Sequence, residues 1–238
     1  PPGGSDAESI HMEGITKVIE VLFHPIKLDV ATGGHQTGGS ARGCKVDDEI
    51  AALVNEGRPP ESGTLHRYTI LTLKRLYEEK LMPFAAQFAA AMPSIGIATA
   101  ADILCIDRLG MICNVQLKTG FERDYDKPSK MGMRMFSPHV ACMPLTDMVD
   151  SHKNRHRIQL IVEHAIFSRI VDESVVLVVS STHTDIHRVD RDISLMTGII
   201  ENIRARHRTR VQDQDTDLKL RIAALKKSYA IKKVHQKR

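Results

Sequence analysis

An aspartate, a glutamine and a lysine lie in or beside two short apolar runs in the middle of the chain. Asp102 lies in the run IGIATAADILCI, Gln116 lies in the run MICNVQL, and Lys118 follows directly. Both runs are rich in β-branched residues and a short polar turn separates them, which is typical of a β-hairpin. Because side chains alternate along a strand, Gln116 and Lys118 face one side and Leu117 faces the other. The hairpin therefore predicts a carboxylate, an amide oxygen and a lysine at one edge of a sheet.

This combination of side chains suits phosphodiester cleavage. That reaction needs oxygen ligands for Mg²⁺ or Mn²⁺, an activated water as nucleophile, and a cation that orients the water or offsets charge developing on the phosphate. Asp102 is the candidate main metal ligand, Gln116 an auxiliary ligand, and Lys118 the cation. The alternative is structural, because Asp102 and Lys118 can form an edge-strand ion pair, which stabilises a fold little.

The hairpin resembles that of the PD-(D/E)XK nuclease superfamily, in which an Asp is followed by a (D/E)xK tripeptide. Here the tripeptide is Gln116, Leu117 and Lys118, followed by Thr119 and Gly120. The KTG ending is similar to the branch of RecB-type nucleases and lambda-type viral alkaline exonucleases. The resemblance implies a restriction-endonuclease-like core and a metal-dependent DNA nuclease. It also implies that the backbone carbonyl of Leu117 is a metal ligand.

Segments on both sides of the hairpin extend this resemblance from Gly43 to Val179. In HKNRHRIQLIVEH, Gln159 begins a segment similar to the branch's QLxxY helix, although Glu163 stands at the tyrosine position. The resemblance implies that Gln159 supports the metal site or the nucleic-acid backbone, and it joins Asp102, Gln116 and Lys118 in the candidate catalytic set. Without the motif, Gln159 is an ordinary helix residue.

Two upstream segments also resemble this branch. The segment that begins at Gly43 is similar to its Gly-led N-terminal helix, with Asp47 in place of the usual His, so Asp47 is a candidate extra acid. The stretch PFAAQF resembles the segment that supplies another acid, and Gln87 stands in that place. Gln87 and Gln116 are neutral where carboxylates are usual, so we expect weakened metal binding. Some branches of the superfamily carry QxK and are similar to active endonucleases, so cleavage is still expected.

Basic residues flank the proposed site on both sides, and they are candidate phosphate contacts. The alternative is a solvated charged face. These residues are Lys127, Lys130, Arg134, Arg155 and Arg157.

Two histidine pairs have the i, i+4 spacing of helical zinc ligands. They are His152 with His156, and His183 with His187. No cysteine or carboxylate completes either pair at a standard spacing, so we favour solvated histidines over a zinc site.

Apolar periodicity predicts helices around the hairpin and one further strand. Asp47, Asp48 and Glu49 are expected in the first turn of the first helix, where the helix dipole favours acids. The expected helices are 46–55, 64–80, 154–170 and 193–206, with a doubly buried strand at 174–179, loops at 31–43 and 121–134, and a strand or short helix at 15–23. The fold class is therefore α/β, with a small mixed sheet flanked by helices and a basic C-terminal helix.

No apolar run approaches the roughly 18 residues of a membrane-spanning helix, so no membrane partner is expected.

Charge is distributed unevenly along the chain. Residues 219–238 hold eight Lys or Arg and no acid, whereas the other 218 residues carry 25 basic and 29 acidic residues. We expect a disordered N-terminus at 1–12, a nuclease-like domain at 13–210 and a basic helical tail at 211–238. A basic tail on a mildly acidic body suggests a polyanionic partner.

The cysteine pattern indicates the redox state of the compartment. Four cysteines form no CxxC pair, and Cys105 and Cys113 lie in apolar runs, which favours an intracellular, reducing compartment over a disulfide framework.

Three classes of function are therefore compared. The favoured one is a Mg²⁺- or Mn²⁺-dependent DNA nuclease that acts on duplex ends or single strands in recombination, repair or processing of replication intermediates. We expect an exonuclease that can form homo-oligomers, and the resemblance is compatible with a viral source. The second is a catalytically inactive protein of the same fold that binds DNA or RNA, or serves as a structural subunit. The third is a scaffold whose basic tail docks an acidic protein.

Overall fold

A computed structural model describes residues 12–18, 38–59, 63–120, 125–126, 148 and 151–235 of the chain. The helices within these residues are α1 (Gly38–Glu56), α2 (Arg67–Glu78), α3 (His152–Ile166) and α4 (Ile193–His235). The strands are β1 (Glu13–Gly14), β2 (Met82–Met92), β3 (Ile97–Ile106), β4 (Ile112–Thr119), β5 (Glu173–Val179) and β6 (Thr184–Arg188).

The strands form one mixed sheet with helices on both faces, so the predicted fold class is confirmed. The order is β1-β3-β4-β5-β6, and β2 pairs with β3. The centre is the parallel pair β4 and β5, and antiparallel pairs join β3 to β4 and β5 to β6. Val46 of α1 and Leu76 of α2 pack on one face with Leu117. The other face receives α3 and α4, through residues that include Ile158 and Ile199.

The predicted hairpin is present as β3 and β4. Its turn is stabilised by Asp107, whose carboxylate accepts hydrogen bonds from the backbone N–H groups of Leu109 (2.7 Å) and Met111 (2.9 Å). The predicted strand at 174–179 is also present as β5, and its side chains are buried on both faces. These elements were predictable because each is a short run of β-branched residues bounded by turn residues.

Strand β2 was not predicted. Its sequence MPFAAQFAAAM is alanine-rich and has no β-branched residue, so strand propensity gives little signal. The strand forms because it pairs along the whole length of β3. Its outer edge is partly covered: the Asn55 side-chain amide donates to the carbonyl of Ala86 and accepts from its N–H, both at 2.9 Å.

Helix α1 begins earlier than predicted, which corrects two expectations. Residues 38–43 are helical and not loop, and no acid lies in the first turn, so Asp47, Asp48 and Glu49 are mid-helix residues. Tertiary contacts override the poor helix propensity of this glycine-rich segment. Arg42, for example, lies over the ring of Tyr68, 5.1 Å from its centroid. The remaining residues of the expected loop lie outside the described part.

Other helix boundaries also differ from the prediction. Helix α2 begins at Arg67 because His66 caps it, accepting from the N–H of Tyr68. Helix α3 ends at Ile166 and not Ile170, because Phe167 leaves helical geometry. Residues 15–18 are helical, and 19–23 lie outside the description.

Helix α4 is continuous over 43 residues, so the predicted helix 193–206 and the predicted helical tail are one element up to His235. The division into domains at residue 211 stays a prediction, as does a disordered N-terminus, since residues 1–11 lie outside the described part. No described helix has the length and apolar character needed to cross a membrane. Cys44, Cys105 and Cys113 are free thiols.

Candidate active site

Strands β3 and β4 separate at Asp102, which creates a fork in the sheet. Their ladder runs from Ile106 paired with Ile112 to Ile103 paired with Val115. Beyond it, Oδ2 of Asp102 accepts a hydrogen bond from the backbone N–H of Leu117 at 2.8 Å. The N–H and C=O of one strand residue point to the same edge, so the Leu117 carbonyl also points into the fork. A carboxylate and a backbone carbonyl therefore meet there.

An irregularity in β2 and β3 coincides with Asp102. Ala101 and Leu104 pack in one apolar cluster and Ile103 packs in another, so the two-residue alternation of β3 is interrupted between residues 101 and 103. Gln87 lies between Ala86, which pairs with Ile103, and Phe88, which pairs with Ala101, so it is level with Asp102; its backbone is left-handed, with φ 52°. The Gln87 side chain is exposed. The irregular backbone of β2 and β3 thus occurs at the residue, Asp102, whose side chain bonds to β4.

The two faces of β4 have different chemistry. Cys113, Val115 and Leu117 pack in the apolar cluster that includes α1. Asn114 contacts α3 on the opposite face, and the alternation of the strand places Gln116 and Lys118 on that same face. The polar face of β4 is thus directed at α3.

The side-chain amide of Gln116 is buried and makes no hydrogen bond to the described residues. Its side chain is 1% exposed, and neither amide atom has a hydrogen-bond partner there. A buried polar group left without a partner costs about 1–3 kcal/mol. The Gln116 amide is therefore available to a further partner, such as an ion or ordered water.

Glu163 of α3 joins the helix to the sheet through a buried hydrogen-bond network. Its Oε1 accepts from Gln159 Nε2 at 2.8 Å and from Thr99 Oγ1 at 3.2 Å, and its Oε2 accepts from Asn114 Nδ2 at 2.9 Å. The Glu163 side chain is 1% exposed. Gln159 thus contacts the site through Glu163. Sequence reasoning noted Glu163 only as a missing tyrosine, although its i, i+4 position relative to Gln159 was a usable signal.

Asp47 and Glu163 each interact electrostatically with Asp102 and Lys118. Burial, followed by the negative charge of Asp102, raises the pKa of Asp47 to about 7. Burial also raises the pKa of Glu163 to about 7, against the lowering effect of its hydrogen bonds from Gln159 and Asn114. The pKa of Asp102 is raised by burial too, although Lys118 and the Leu117 N–H oppose this. One acid from α1 and one from α3 thus accompany Asp102.

The histidines do not form a zinc site within the described chain. There, no group of three or more His, Cys, Asp or Glu side chains is placed to hold a metal ion. His156 is not a solvated histidine: burial, followed by the charge of Lys118, lowers its pKa to about 2, and its Nδ1 lies 3.2 Å from the Tyr125 hydroxyl oxygen. His187 stacks on the same tyrosine ring. His183 contacts Ser180, with 2.8 Å between Nδ1 and Oγ.

The candidate phosphate contacts are described only in part. Arg155 and Arg157 lie on α3, the helix that carries Gln159 and Glu163, and Arg157 lies 4.0 Å from the carboxylate of Asp192. Lys127, Lys130 and Arg134 lie outside the described residues.

The donor set at the fork suits a hard divalent cation. Mg²⁺ and Mn²⁺ prefer oxygen ligands, and the fork offers the carboxylate of Asp102 and the carbonyl of Leu117, beside the unpartnered amide of Gln116. No group of three or more His, Cys, Asp or Glu side chains in the described part is placed to hold a metal ion, so the amide and backbone oxygens at the fork are candidate ligands beside Asp102.

Comparisons with known proteins gave matches only among solved structures. No family model and no curated protein matches the chain. The chain is similar to an alkaline exonuclease from Laribacter hongkongensis, with a TM-score of 0.49, 13% identity, and coverage of 91% of this chain and 95% of that chain. It is also similar to the protein SSO0001, with a TM-score of 0.32, 13% identity, and coverage of 81% of this chain and 75% of that chain. Function is therefore inferred from the site itself.

Proposed function

We propose that this protein is a divalent-metal-dependent DNA nuclease whose active site is the fork at Asp102. The observation that carries the proposal is the hydrogen bond from the Leu117 N–H to Asp102, because it directs a carboxylate and a backbone carbonyl into one opening beside Lys118. We further propose exonucleolytic cleavage, serving recombination, repair or the processing of replication intermediates.

Residues of the fork would hold Mg²⁺ or Mn²⁺. Asp102, the amide oxygen of Gln116 and the carbonyl of Leu117 are the proposed ligands, and Asp47 is an additional acid within electrostatic reach of Asp102. When bound, the cation would offset phosphate charge and lower the pKa of a water molecule.

The remaining side chains position the substrate and hold protons. The Lys118 ammonium donates hydrogen bonds to the attacking water and offsets charge on the phosphate oxygens. Gln159 fixes Glu163, and through it the polar face of β4. Arg155 and Arg157 contact the nucleic-acid backbone, together with Lys127, Lys130 and Arg134, and the basic tail adds non-specific attraction. Assembly into a homo-oligomer stays a prediction.

The proposal is tested with pure protein and three DNA substrates: linear duplex, closed circular duplex and single-stranded DNA, each in Mg²⁺, Mn²⁺ or EDTA. We expect metal-dependent cleavage that Asp102→Ala and Lys118→Ala abolish and that spares the circles. The exposed residues Lys74 and Glu201 provide matched controls, since Lys74→Ala and Glu201→Ala change charge away from the fork. Equal cleavage by wild type and Asp102→Ala contradicts the proposal.

A second candidate function is binding of nucleic acid without cleavage. The observation that favours it is the neutral Gln116 at the position where a carboxylate is usual in the resembled family. It predicts complexes with DNA or RNA that dissociate steeply with added salt and no turnover in any metal. Cleavage gained by a Gln116→Glu variant of an inactive wild type would identify the substitution that removed activity.

A further inference from the structure

Glu163 is a buried acid beside the fork, and the proposed mechanism leaves its charge unused. It is 1% exposed, and its pKa responds to both Asp102 and Lys118, so it lies within electrostatic reach of the fork. Burying a carboxyl group is costly, and three hydrogen-bond donors from α3, β3 and β4 hold this one in place. Oε2 accepts only one of these hydrogen bonds and therefore still has acceptor capacity, because an ionised carboxylate accepts about four hydrogen bonds or ligands, two on each oxygen.

Two buried amides on β4 lie beside this acid with unused oxygens. Asn114 donates its N–H to Glu163, but its Oδ1 has no partner among the described residues, and both amide atoms of Gln116 also lack one. Both residues are at most 1% exposed. Asn114, Gln116 and Lys118 share the face of β4 that is directed at α3, so these unsatisfied oxygens lie on the same side of β4 as the Glu163 carboxylate.

This side of β4 thus combines oxygen donors with negative charge. Gln116 is neutral. Without Glu163, Asp102 would be the only carboxylate that β3, β4 and α3 provide to a cation at the polar face of β4. The helix acid restores the second negative charge that a hard cation favours.

We propose that Glu163 supplies, from α3, the second carboxylate of the cation site, in place of an acid at position 116. The cation, of the Mg²⁺ or Mn²⁺ class, is held between Asp102 and Glu163, and the amide oxygens of Gln116 and Asn114 complete its protein ligands. This inference rests on the proposed function, because it concerns the same site.

The test measures Mn²⁺ binding directly, by electron paramagnetic resonance on the full chain, with competition by Mg²⁺. We expect one site in the wild type and at least tenfold weaker binding in Glu163→Gln, which has nearly the same shape. The control is Glu201→Gln on α4, whose position is exposed. In the double variant Glu163→Gln with Gln116→Glu, the acid returns to the sheet, and we expect binding to recover to within about threefold of wild type.

The outcomes separate this inference from the proposed function. If the wild type binds Mn²⁺ and Asp102→Asn abolishes binding, while Glu163→Gln binds like wild type, the role of Glu163 is wrong and the metal site at the fork stands. If the wild type shows no Mn²⁺ site, both proposals fail. Thermal unfolding of each variant accompanies the titration. If Glu163→Gln does not fold, recovery of folding and binding in the double variant supports the proposal, and failure of both overturns it.

Discussion

Oδ2 of Asp102 lies 2.8 Å from the backbone nitrogen of Leu117 and accepts its hydrogen bond where the two strands have ceased to pair. The side chain therefore replaces a ladder hydrogen bond at the fork. It satisfies a strand N–H with one of its two carboxylate oxygens. One acid thus has a structural and a proposed catalytic task.

Asp102→Asn separates these two tasks. The asparagine oxygen can still accept from Leu117, so we expect thermal stability at or above that of wild type, since repulsion with Asp47 and Glu163 is relieved. DNA cleavage should fall at least 100-fold, which corresponds to about 3 kcal/mol of transition-state stabilisation. Cleavage assays and calorimetry check both expectations.

Asp102→Ala serves as the matched comparison. It leaves the Leu117 N–H without its acceptor, which costs about 1–3 kcal/mol in the free energy of unfolding. If both variants lose the same stability, the hydrogen bond does not hold the fork.

Asp47 should make the free energy of unfolding depend on pH in the absence of metal. Its pKa rises from 3.8 to about 7 on folding, so the native state binds more protons than the unfolded state within that window. This contribution to stability is fully present below pH 3.8 and is lost as pH rises towards 7. We expect Asp47→Asn to remove it, measured by urea unfolding in EDTA between pH 4.5 and 8.

Wild type must be compared with Asp47→Asn, because other groups in the protein also titrate in this pH range. The lowered pKa of His156 gives a slope of opposite sign below pH 6.5, and Glu163 adds to the slope of Asp47. These terms cancel in the difference between wild type and Asp47→Asn. Identical pH profiles for the two would mean that Asp47 is not buried beside Asp102.

Glu49 should be a major contributor to stability through its contact with α2. Its Oε2 accepts from the backbone N–H of His66 at 2.8 Å and from Thr69 Oγ1 at 2.6 Å. Glu49→Ala leaves both donors without an acceptor, so we expect a loss of about 2–4 kcal/mol, whereas Glu49→Gln keeps an oxygen and should lose about 1 kcal/mol. Urea unfolding gives both values. The exposed neighbour Asp48 is the control, and an equally large loss in Asp48→Ala would refute this account.

Gln87 should be replaceable by glycine with a gain in stability. Its left-handed backbone, φ 52°, costs a residue with a side chain about 1–2 kcal/mol, and glycine avoids this cost. Glycine also loses more chain entropy on folding, about 0.5–1 kcal/mol, so the net gain is about 0.5–1 kcal/mol. Differential scanning calorimetry compares Gln87→Gly with Gln87→Val, which should be destabilised. A less stable glycine variant would show that this conformation carries no strain.

The sequence allowed the hairpin and the central strand to be predicted because their signals are local. Apolar β-branched runs and the Asp107 turn require no knowledge of the remaining chain. The same holds for the opposite placement of Leu117 and Gln116, which follows from strand alternation alone. Asp102 was chosen as the central acid from its position in that hairpin.

Features that depend on distant partners were not predictable. Strand β2 forms by pairing with β3, and its alanine-rich sequence carries no signal of this. Glu49 was expected to stabilise its own helix but instead accepts hydrogen bonds from His66, which caps α2, and from Thr69 within α2. Glu163 was treated as a departure from a motif, because only the packing of α3 on β4 brings it to Asn114.

The pairing of Asn55 with Ala86 also bears on how the protein behaves at high concentration. Strand β2 has 11 residues and no charged side chain, so its outer edge is a template on which a second molecule could add a strand. At Ala86 both backbone groups are already engaged by the Asn55 amide, and the backbone at Gln87 departs from strand geometry just beyond. Resistance to fibre growth along this edge therefore draws on an amide side chain from a helix outside the sheet, together with the irregular backbone at Gln87.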